Sequence, residues 1–194
     1  MRADAILADM IDMTADLDDE TLAARVAGDF DAFAELYRRY LCPVYRFVRS
    51  QCPDEPTAED ITAQVFFKAI SSASSFRGEG SYKAWIFRIA HNSVWSWRNG
   101  RARSVIAVEE VPETVDPTPS PAAQAITQEG RGQVWRKVAE LPPAQREVVA
   151  LRYLQDLTVE EIAEITDRSR GAVRILLHRA RSKLRSTMDG KEVG

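Results

Sequence analysis

The sequence has few of the residues that form disulfides, bind metals or act as nucleophiles. Its 194 residues include two cysteines, Cys42 and Cys52, and two histidines, His91 and His178. The cysteines have nine residues between them and no neighbouring Cys or His cluster, which argues against a disulfide framework and against a zinc site. We therefore expect free thiols, no metal and no cofactor.

Long apolar runs are also missing. No stretch is long enough to span a membrane, so no membrane insertion is expected. The first twenty residues, MRADAILADMIDMTADLDDE, hold one arginine and seven acids, and they lack the basic start and apolar core of a signal peptide. The composition thus predicts a cytoplasmic protein.

Sustained alternation of apolar and polar residues, which would indicate half-buried strands, is not found, so no sheet is expected. Apolar residues recur three and four positions apart instead, which is typical of amphipathic helices. One such series is Leu22, Val26, Phe30, Phe33, Leu36, Tyr37 and Tyr40. The predicted fold class is all-α.

Catalytic motifs are absent as well. There is no glycine-rich phosphate loop, no metal-ligand spacing and no Cys/His pair at motif distance. Glu59 and Asp60 are adjacent acids, but Pro56 and Thr57 should open a helix whose first turn contains them, where carboxylates favour the dipole. We therefore expect no catalytic residue and no enzymatic activity. A helical nucleic-acid enzyme that uses these two acids is the weakest of the hypotheses for the function.

What the sequence does have is charge sorted by region. The net charge is only −3, yet residues 168–185 hold seven basic residues and no acid. Residues 76–103 hold six basic residues against one acid, Glu79. Solvated helix faces usually interleave acids with bases, so two such segments predict two contacts with a polyanion.

Proline placement indicates two domains. Four prolines and several acids fall between residues 104 and 128 without any helical period, which predicts an extended acidic linker. The predicted organisation is an N-terminal extension that frays (residues 1–17), a first helical domain (18–100), the linker (101–128), a second helical domain (129–187) and a tail (188–194).

The second domain has the pattern of a helix–turn–helix. Thr158 is placed to cap a short helix, and Ser169, after a tight turn, to cap a long basic helix. The inward face of the long helix is predicted to be Val173, Leu176, Leu177, Ala180 and Leu184. The opposite side carries Arg170, Arg174, His178, Arg181 and Arg185. A basic helix in this position can enter the DNA major groove.

Another basic helix is predicted over residues 82–98. Its inward face is Tyr82, Trp85, Ile86, Ile89 and Ser93, and its outward face is Arg88, His91, Trp95 and Arg98 with Asn92 at the edge. Aromatic rings stack on unpaired bases while cations follow phosphates, so this face suits single-stranded DNA. Burial in the core is the alternative for both Trp95 and Trp97.

The helix that follows Pro56 is predicted to expose a phenylalanine. Its inward stripe is Ala58, Ile61, Val65 and Ala69, and the opposite side carries Asp60, Ala63, Gln64 and Phe67. An exposed phenylalanine beside a carboxylate is typical of a protein-binding hot spot. The alternative is that Phe67 is buried against another local helix.

Four collinear segments resemble the extracytoplasmic-function (ECF, group 4) class of bacterial sigma factors, the specificity subunits of RNA polymerase. The segments are GDFDAFAELYRRY, AEDITAQVFFKA, FRGEGSYKAWIFRIAHN and the run from LPPAQREVVALRYLQDLTVEEIAEI to SRGAVRILLHRARSKLR. They resemble, in the family's order, the start of sigma region 2, its polymerase-docking helix, its promoter-melting segment, and sigma region 4. The resemblance covers about residues 20–187.

The resemblance implies partners and sites. It implies core RNA polymerase, promoter DNA and an anti-sigma factor as partners of a chain that is monomeric when free, in a stress or envelope response. Implied polymerase contacts are Asp60, Gln64 and Phe67. Implied contacts to the minus-ten element are Phe76, Arg77, Arg88, His91, Asn92, Trp95 and Arg98, with Phe76 and Asn92 at the pocket for a flipped base. Implied contacts to the minus-thirty-five element are Arg170, Arg174, Ile175, His178, Arg179 and Arg181.

The sequence also departs from the family's pattern. Ala63 and Gln64 stand where Gln and Glu are usual, a tryptophan in SVWSWRNGRAR replaces an Asp, and Ile175-Leu176 replaces Ser-Arg in the recognition helix. The promoter sequence therefore cannot be taken from better-known members. A stand-alone helix–turn–helix regulator with a sensing domain is the alternative function, but it leaves the basic aromatic helix unexplained.

Overall fold

The computed structural model describes residues 16–26, 28–73, 76, 80–105 and 129–189. The regular secondary structure of these residues is helical, which confirms the all-α fold class. The helices are α1 (Asp19–Arg25), α2 (Phe30–Gln51), α3 (Glu55–Ser71), α4 (Tyr82–Val105), α5 (Glu129–Ala139), α6 (Pro143–Tyr153), α7 (Val159–Thr166) and α8 (Arg170–Asp189). We call α1–α4 the N-terminal bundle and α5–α8 the C-terminal bundle.

Aspartates cap the first three helices. Asp18, Asp29 and Asp54 each accept a hydrogen bond from a backbone N–H in the turn that follows. Because Asp54 is the cap, α3 begins at Glu55, and that residue is the acid of the first turn. The prediction that placed Glu59 and Asp60 in this first turn was wrong.

The N-terminal bundle packs α2, α3 and α4 around aromatic and aliphatic side chains. Phe47 of α2 and Phe87 of α4 are fully buried and meet edge to face, with ring centroids 5.7 Å apart. The predicted inward stripe of α3 is buried throughout: Ala58, Ile61, Val65 and Ala69. Two aromatic members of the predicted series in α2, Phe30 and Tyr37, are exposed instead.

In the C-terminal bundle, helices α6, α7 and α8 contribute buried apolar side chains to the hydrophobic core. Val148, Leu151, Ile162 and Val173 are almost completely buried there. The short α7 packs against α8, as a helix–turn–helix requires.

Helix α4 runs past the end of the predicted first domain. It continues to Val105, into residues that the sequence assigned to the linker. Residues 1–15, 106–128 and 190–194 lie outside the described residues, and with them lie most of the predicted extension, linker and tail. The bounds of the predicted domains stay predictions.

The two bundles touch each other. Helix α2 contacts α6, and α4 contacts α7. None of the helices in the described part of the chain combines the length and apolar character that crossing a bilayer requires. Both cysteines are free thiols, as predicted, with Cys42 exposed and Cys52 buried.

Candidate nucleic-acid and polymerase interfaces

The start of α4 is held by α1 and by its own first turn. The Tyr82 N–H donates to Glu20 Oε1 of α1 across 3.1 Å, and the Ala84 N–H donates to Ser81 Oγ across 3.4 Å. Gly80, just before, has φ +90°, a conformation that favours glycine. These contacts fix the direction in which α4 leaves the preceding loop, and therefore the direction of its polar face.

The polar face of α4 lies only in part where the helical period places it, because His91 and Arg98, which were predicted to project outward, are half-buried. Ile86 and Ser93 are buried, whereas Arg88 and Asn92 are exposed. Trp95 is 60% exposed, so the alternative that placed it in the core is wrong. Trp97, by contrast, is half-buried and packs against the core.

Three basic residues of this face have hydrogen-bond partners. Arg98 Nη2 donates to the backbone oxygen and to Oε1 of Gln51, at 3.1 and 2.9 Å, within the N-terminal bundle. Arg88 Nη2 donates to the Glu164 carbonyl oxygen across 2.9 Å, and His91 Nδ1 lies 2.8 Å from Glu147 Oε1. Glu147 and Glu164 belong to the C-terminal bundle, so Arg88 and His91 face that bundle in this conformation.

Phe76 lies in an aromatic cluster. Its ring centroid is 5.6 Å from those of both Tyr82 and Trp85, in edge-on geometry. The ring is half-buried, and the chain's own aromatics cover part of the surface that a base would need. Arg77, its predicted neighbour in the site, lies outside the described residues.

Local hydrogen bonds set the geometry of the helix–turn–helix. The Glu161 N–H donates to Thr158 Oγ1 at 3.2 Å, and the Thr158 N–H donates to Glu161 Oε2 at 2.7 Å, a reciprocal capping box. Asp167 ends α7 in the left-handed conformation, with φ 51°. Ser169 Oγ then accepts from the Ala172 N–H at 3.1 Å, which caps α8. Both caps agree with the sequence prediction.

Helix α8 presents its basic side outward. Val173 and Ala180 are fully buried, and Leu177 nearly so. The candidate groove-facing residues are exposed: Arg170, Arg174, Ile175, His178, Arg179 and Arg181. Ile175, the apolar member of this set, is 53% exposed.

Three of the exposed arginines have neighbours that orient them. Arg170 and Arg174 each reach Glu160 Oε1, at 3.8 and 3.9 Å, and exposed pairs of this length contribute little stability. Arg181 Nε donates to Tyr153 Oη across 2.7 Å, with its guanidinium carbon 5.7 Å from the ring centroid. These contacts leave the guanidinium groups at the surface, where a phosphate could replace Glu160.

A third surface lies on α3. Phe67 is 71% exposed and Asp60 and Gln64 are exposed beside it, so the alternative that buried Phe67 is wrong. Next to it, a largely apolar groove runs between α2 and α3, with Tyr37, Leu41, Tyr45, Ala63 and Phe66 among its lining residues. The sequence did not identify Tyr37 as a groove residue, because spacings of three and four describe a groove wall as well as a core.

Two family models match the chain: Sigma-70 region 2 at residues 36–104 and Sigma-70, region 4 at residues 131–184. The ECF RNA polymerase sigma-E factor of Escherichia coli (strain K12) is 32% identical over 182 residues, covering 89% of this chain and 95% of that protein. RNA polymerase sigma factor YlaC of Bacillus subtilis (strain 168) is 29% identical over 160 residues, covering 81% and 92%. The ECF RNA polymerase sigma factor BldN of Streptomyces coelicolor is 32% identical over 156 residues, or 79% of this chain, which spans only 59% of that protein's length.

Solved structures share the fold. The sigma factor RpoE in complex with the anti-sigma factor NepR from Bartonella quintana aligns with TM-score 0.70 at 24% identity, over 82% of this chain and 98% of that one. CnrH in complex with the cytosolic domain of CnrY aligns with TM-score 0.67 at 24% identity, over 90% and 99%. The matches to both regions place the chain in the sigma-70 class of transcription initiation factors. Within that class, the chain belongs to the ECF RNA polymerase sigma factors, which confirms the resemblance.

Proposed function

We propose that the chain binds core RNA polymerase in the cytoplasm and directs it to specific promoters, without catalytic chemistry of its own. The observation that carries the proposal is the pairing, in one chain, of an exposed aromatic and basic helix face with a capped recognition helix. Trp95 and Asn92 represent the first surface and Arg174 the second. A stand-alone regulator of duplex DNA needs only the second surface.

The proposed work of α4 is to hold the melted minus-ten strand. Trp95 offers a ring on which an unpaired base can stack, and stacking of this kind is worth about 1–3 kcal/mol per base. Arg88, His91 and Arg98 supply positive or hydrogen-bonding groups for phosphates. Phe76 and Asn92 are proposed to receive a flipped base, and Arg77 is proposed as a further contact to the minus-ten element.

The proposed work of α8 is to read the minus-thirty-five element in the major groove. Arginines bind guanine edges or phosphates, and an aliphatic side chain can contact a thymine methyl group. Arg170, Arg174, His178, Arg179 and Arg181 are the proposed polar contacts, with Ile175 as the apolar one.

Helix α3 is proposed to dock on the polymerase. Phe67 is the central contact, because an exposed aromatic ring surrounded by polar residues is the usual composition of an interface hot spot. Asp60 and Gln64 are proposed to bond the partner at its edge. The groove beside Phe67 extends the apolar surface that such a partner can cover.

An anti-sigma factor is proposed to restrain the chain, in a stress or envelope response, and the free chain is proposed to be a monomer. The support comes from structural relatives, since CnrH and RpoE were each solved with a protein partner, CnrY and the anti-sigma factor NepR.

In vitro transcription with purified core polymerase tests the proposed function. Core enzyme plus this chain should give promoter-specific transcripts, whereas either component alone should give none. A chain that binds duplex promoter tightly as a dimer, and gives no transcript with core enzyme, would be a stand-alone regulator instead.

A further inference from the structure

Helix α1 lies ahead of the segment in which the chain matches Sigma-70 region 2. That segment begins at residue 36, whereas α1 covers Asp19–Arg25. Asp18 caps the helix, and its first turn contains two acids, Asp19 and Glu20. Each of the two carboxylates bonds a different helix of the N-terminal bundle, so α1 ties two helices together.

Asp19 connects α1 to α2. Tyr40 Oη donates to Asp19 Oδ2, and Arg39 Nη1 donates to Asp19 Oδ1 across 2.7 Å. Tyr40 is buried, and burial, followed by the bond to Asp19, raises the pKa of its hydroxyl. The hydroxyl therefore stays protonated at neutral pH and keeps donating to this carboxylate. Leu22, which is fully buried, anchors the apolar side of α1 in the same bundle.

Glu20 connects α1 to the start of α4. Its Oε1 accepts the Tyr82 N–H across 3.1 Å. The first N–H groups of a helix have no partner within the helix, and they favour a negative charge. The first turn of α4 contains no acid of its own. Glu20 therefore caps α4 from 62 positions earlier in the chain.

Tyr82 joins this anchor to the aromatic cluster around Phe76. Its ring meets those of Tyr40 and Phe76 edge-on, with centroids 5.2 and 5.6 Å away. Trp85, one turn along α4, has its ring centroid 5.4 Å from that of Tyr82. Ala23 of α1 lines a small cavity together with Phe76, Tyr82 and Trp85. Because closely packed side chains transmit displacements, a shift in the first turn of α4 would move the Phe76 ring.

We propose that Glu20 is a positioning residue for capture of the flipped base. It fixes the first turn of α4, and through Tyr82 it fixes the Phe76 ring that receives the base. The inference rests on the proposed function for the role of Phe76. Glu20 does not contact the DNA itself, because its carboxylate bonds α4 and would repel a phosphate.

Binding of holoenzyme to a forked promoter template tests the inference. Holoenzyme is formed from core polymerase and the full-length chain, and the template is already single-stranded in the minus-ten element, so no melting is required. Single abasic sites, scanned through the non-template strand, locate the base that the parent protein captures. The affinity for the intact template divided by the affinity for that abasic template is the base-capture ratio. It should be about tenfold in the parent, since one stacked base contributes affinity of this order.

Three substitutions separate the hydrogen bond of Glu20 from its charge. Glu20→Ala removes both, Glu20→Gln keeps an acceptor oxygen at the same reach without the charge, and Glu20→Asp keeps the charge on a side chain too short to reach the Tyr82 N–H. The base-capture ratio should fall to about twofold in Glu20→Ala and Glu20→Asp, and stay at about tenfold in Glu20→Gln. Arg25→Ala, at an exposed position of the same helix, is the control and should keep the parent ratio.

The ratio separates positioning from a general effect on the fold. A merely structural role of Glu20 would weaken binding to the intact and abasic templates equally and leave the ratio unchanged. Glu20 is exposed, so each variant should fold, and circular dichroism melting checks this. If Glu20→Ala does not fold, the contrast between Glu20→Asp and Glu20→Gln decides.

The parent ratio retained in the folded Glu20→Ala and Glu20→Asp variants would overturn the inference, and so would an equal fall in Glu20→Gln or Arg25→Ala. A parent whose affinity no abasic site lowers would contradict the proposed base capture, and this inference with it. A parent that captures a base, beside variants that capture it equally well, would contradict the role of Glu20 alone. The two failures are therefore distinguishable.

Discussion

Phe66 and Phe67 are neighbours in α3 with opposite environments. Phe66 is 5% exposed and packs in the N-terminal bundle, whereas Phe67 is 71% exposed. We predict that Phe67→Ala weakens binding of core polymerase by about 1–3 kcal/mol, since loss of a hot-spot side chain removes contact area from the interface alone. Titration of fluorescent core enzyme measures the change.

Phe66→Ala is the matched control. It should lower the free energy of unfolding by about 3–5 kcal/mol, as buried Phe truncations do, whereas Phe67→Ala should leave it nearly unchanged. Polymerase affinity that survives Phe67→Ala, or a large loss of stability in that variant, would contradict a docking role.

Ile175 is the apolar residue on the outward side of α8. If it contacts a thymine methyl group, Ile175→Ser should weaken the free energy of binding to the native upstream element by on the order of 1 kcal/mol. It should also relax the base preference at one base pair. Arg174→Ala should weaken binding to the element more than Ile175→Ser does, if the Arg174 guanidinium makes two hydrogen bonds to one base edge. A promoter library scanned across the upstream element measures both, and a base-preference profile unchanged by Ile175→Ser would rule out direct readout.

Exposure was predictable from the sequence for some single residues but not for others. Phe67, Trp95 and Ile175 all lie where a period of 3.6 residues places them relative to their buried neighbours. Phe76 was not predictable in this way, because its ring meets Tyr82 and Trp85 from a loop whose path no periodicity describes.

At the scale of the element, α7 depends on its reciprocal cap. Thr158→Ala removes the acceptor for the Glu161 N–H and should lower the free energy of unfolding by about 1 kcal/mol. Thr158→Ser keeps the hydroxyl, so its free energy of unfolding should fall much less. Urea unfolding of the three proteins measures the difference, and equal losses in the two variants would show that the cap contributes nothing.

The exposed face of α4 is proposed to bind the melted strand of promoter DNA. Trp95→Ala and Asn92→Ala should impair open-complex formation on duplex promoters, by about 1–3 kcal/mol for the stacking residue. A template already opened by mismatches at the start site should restore activity at least in part. Ser96→Ala, an exposed neighbour on the same helix, is the control, and equal defects on both templates would indicate a role in folding or general affinity instead.

Helix existence was easier to predict than helix ends. The α7 and α8 caps followed from Thr158 and Ser169, whose side chains satisfy N–H groups locally. The start of α3 was missed because Asp54 was not recognised as the cap, and the continuation of α4 to Val105 was missed because residues 101–105 carry no clear apolar period.

At the scale of the whole molecule, Cys52 links stability to alkaline pH. Burial raises the pKa of its thiol to about 11, above the value of about 8.5 for an unfolded thiol. The folded state thus disfavours the thiolate, so this contribution to stability is complete below about pH 8.5 and is lost as the pH rises toward 11. Each pH unit between the two values corresponds to about 1.4 kcal/mol.

Urea unfolding between pH 8 and 11 measures this dependence, with Cys52→Ser as the control that removes the thiol. Buried Tyr82, whose pKa burial also raises, contributes in the same direction in both proteins, so the difference between them isolates Cys52. A pH dependence identical in the two proteins would contradict the assignment.

The contact between the bundles was beyond the reach of the sequence. His91 and Glu147 are 56 positions apart, and no local pattern indicates that they meet. The sequence predicted a polar face on α4 and on α8, but it could not show that the C-terminal bundle covers His91 on the first of these faces.

The exposed arginines of α8 have a consequence for the thermodynamics of promoter binding. Each arginine that neutralises a DNA phosphate releases condensed counterions. The slope of the logarithm of the affinity against the logarithm of the salt concentration then becomes more negative by about 0.9. The chain as a whole carries a charge of −3, so it gains no long-range attraction to DNA from its net charge. If the α8 arginines contact phosphates, the affinity of the free chain for DNA should therefore fall as the concentration of salt rises.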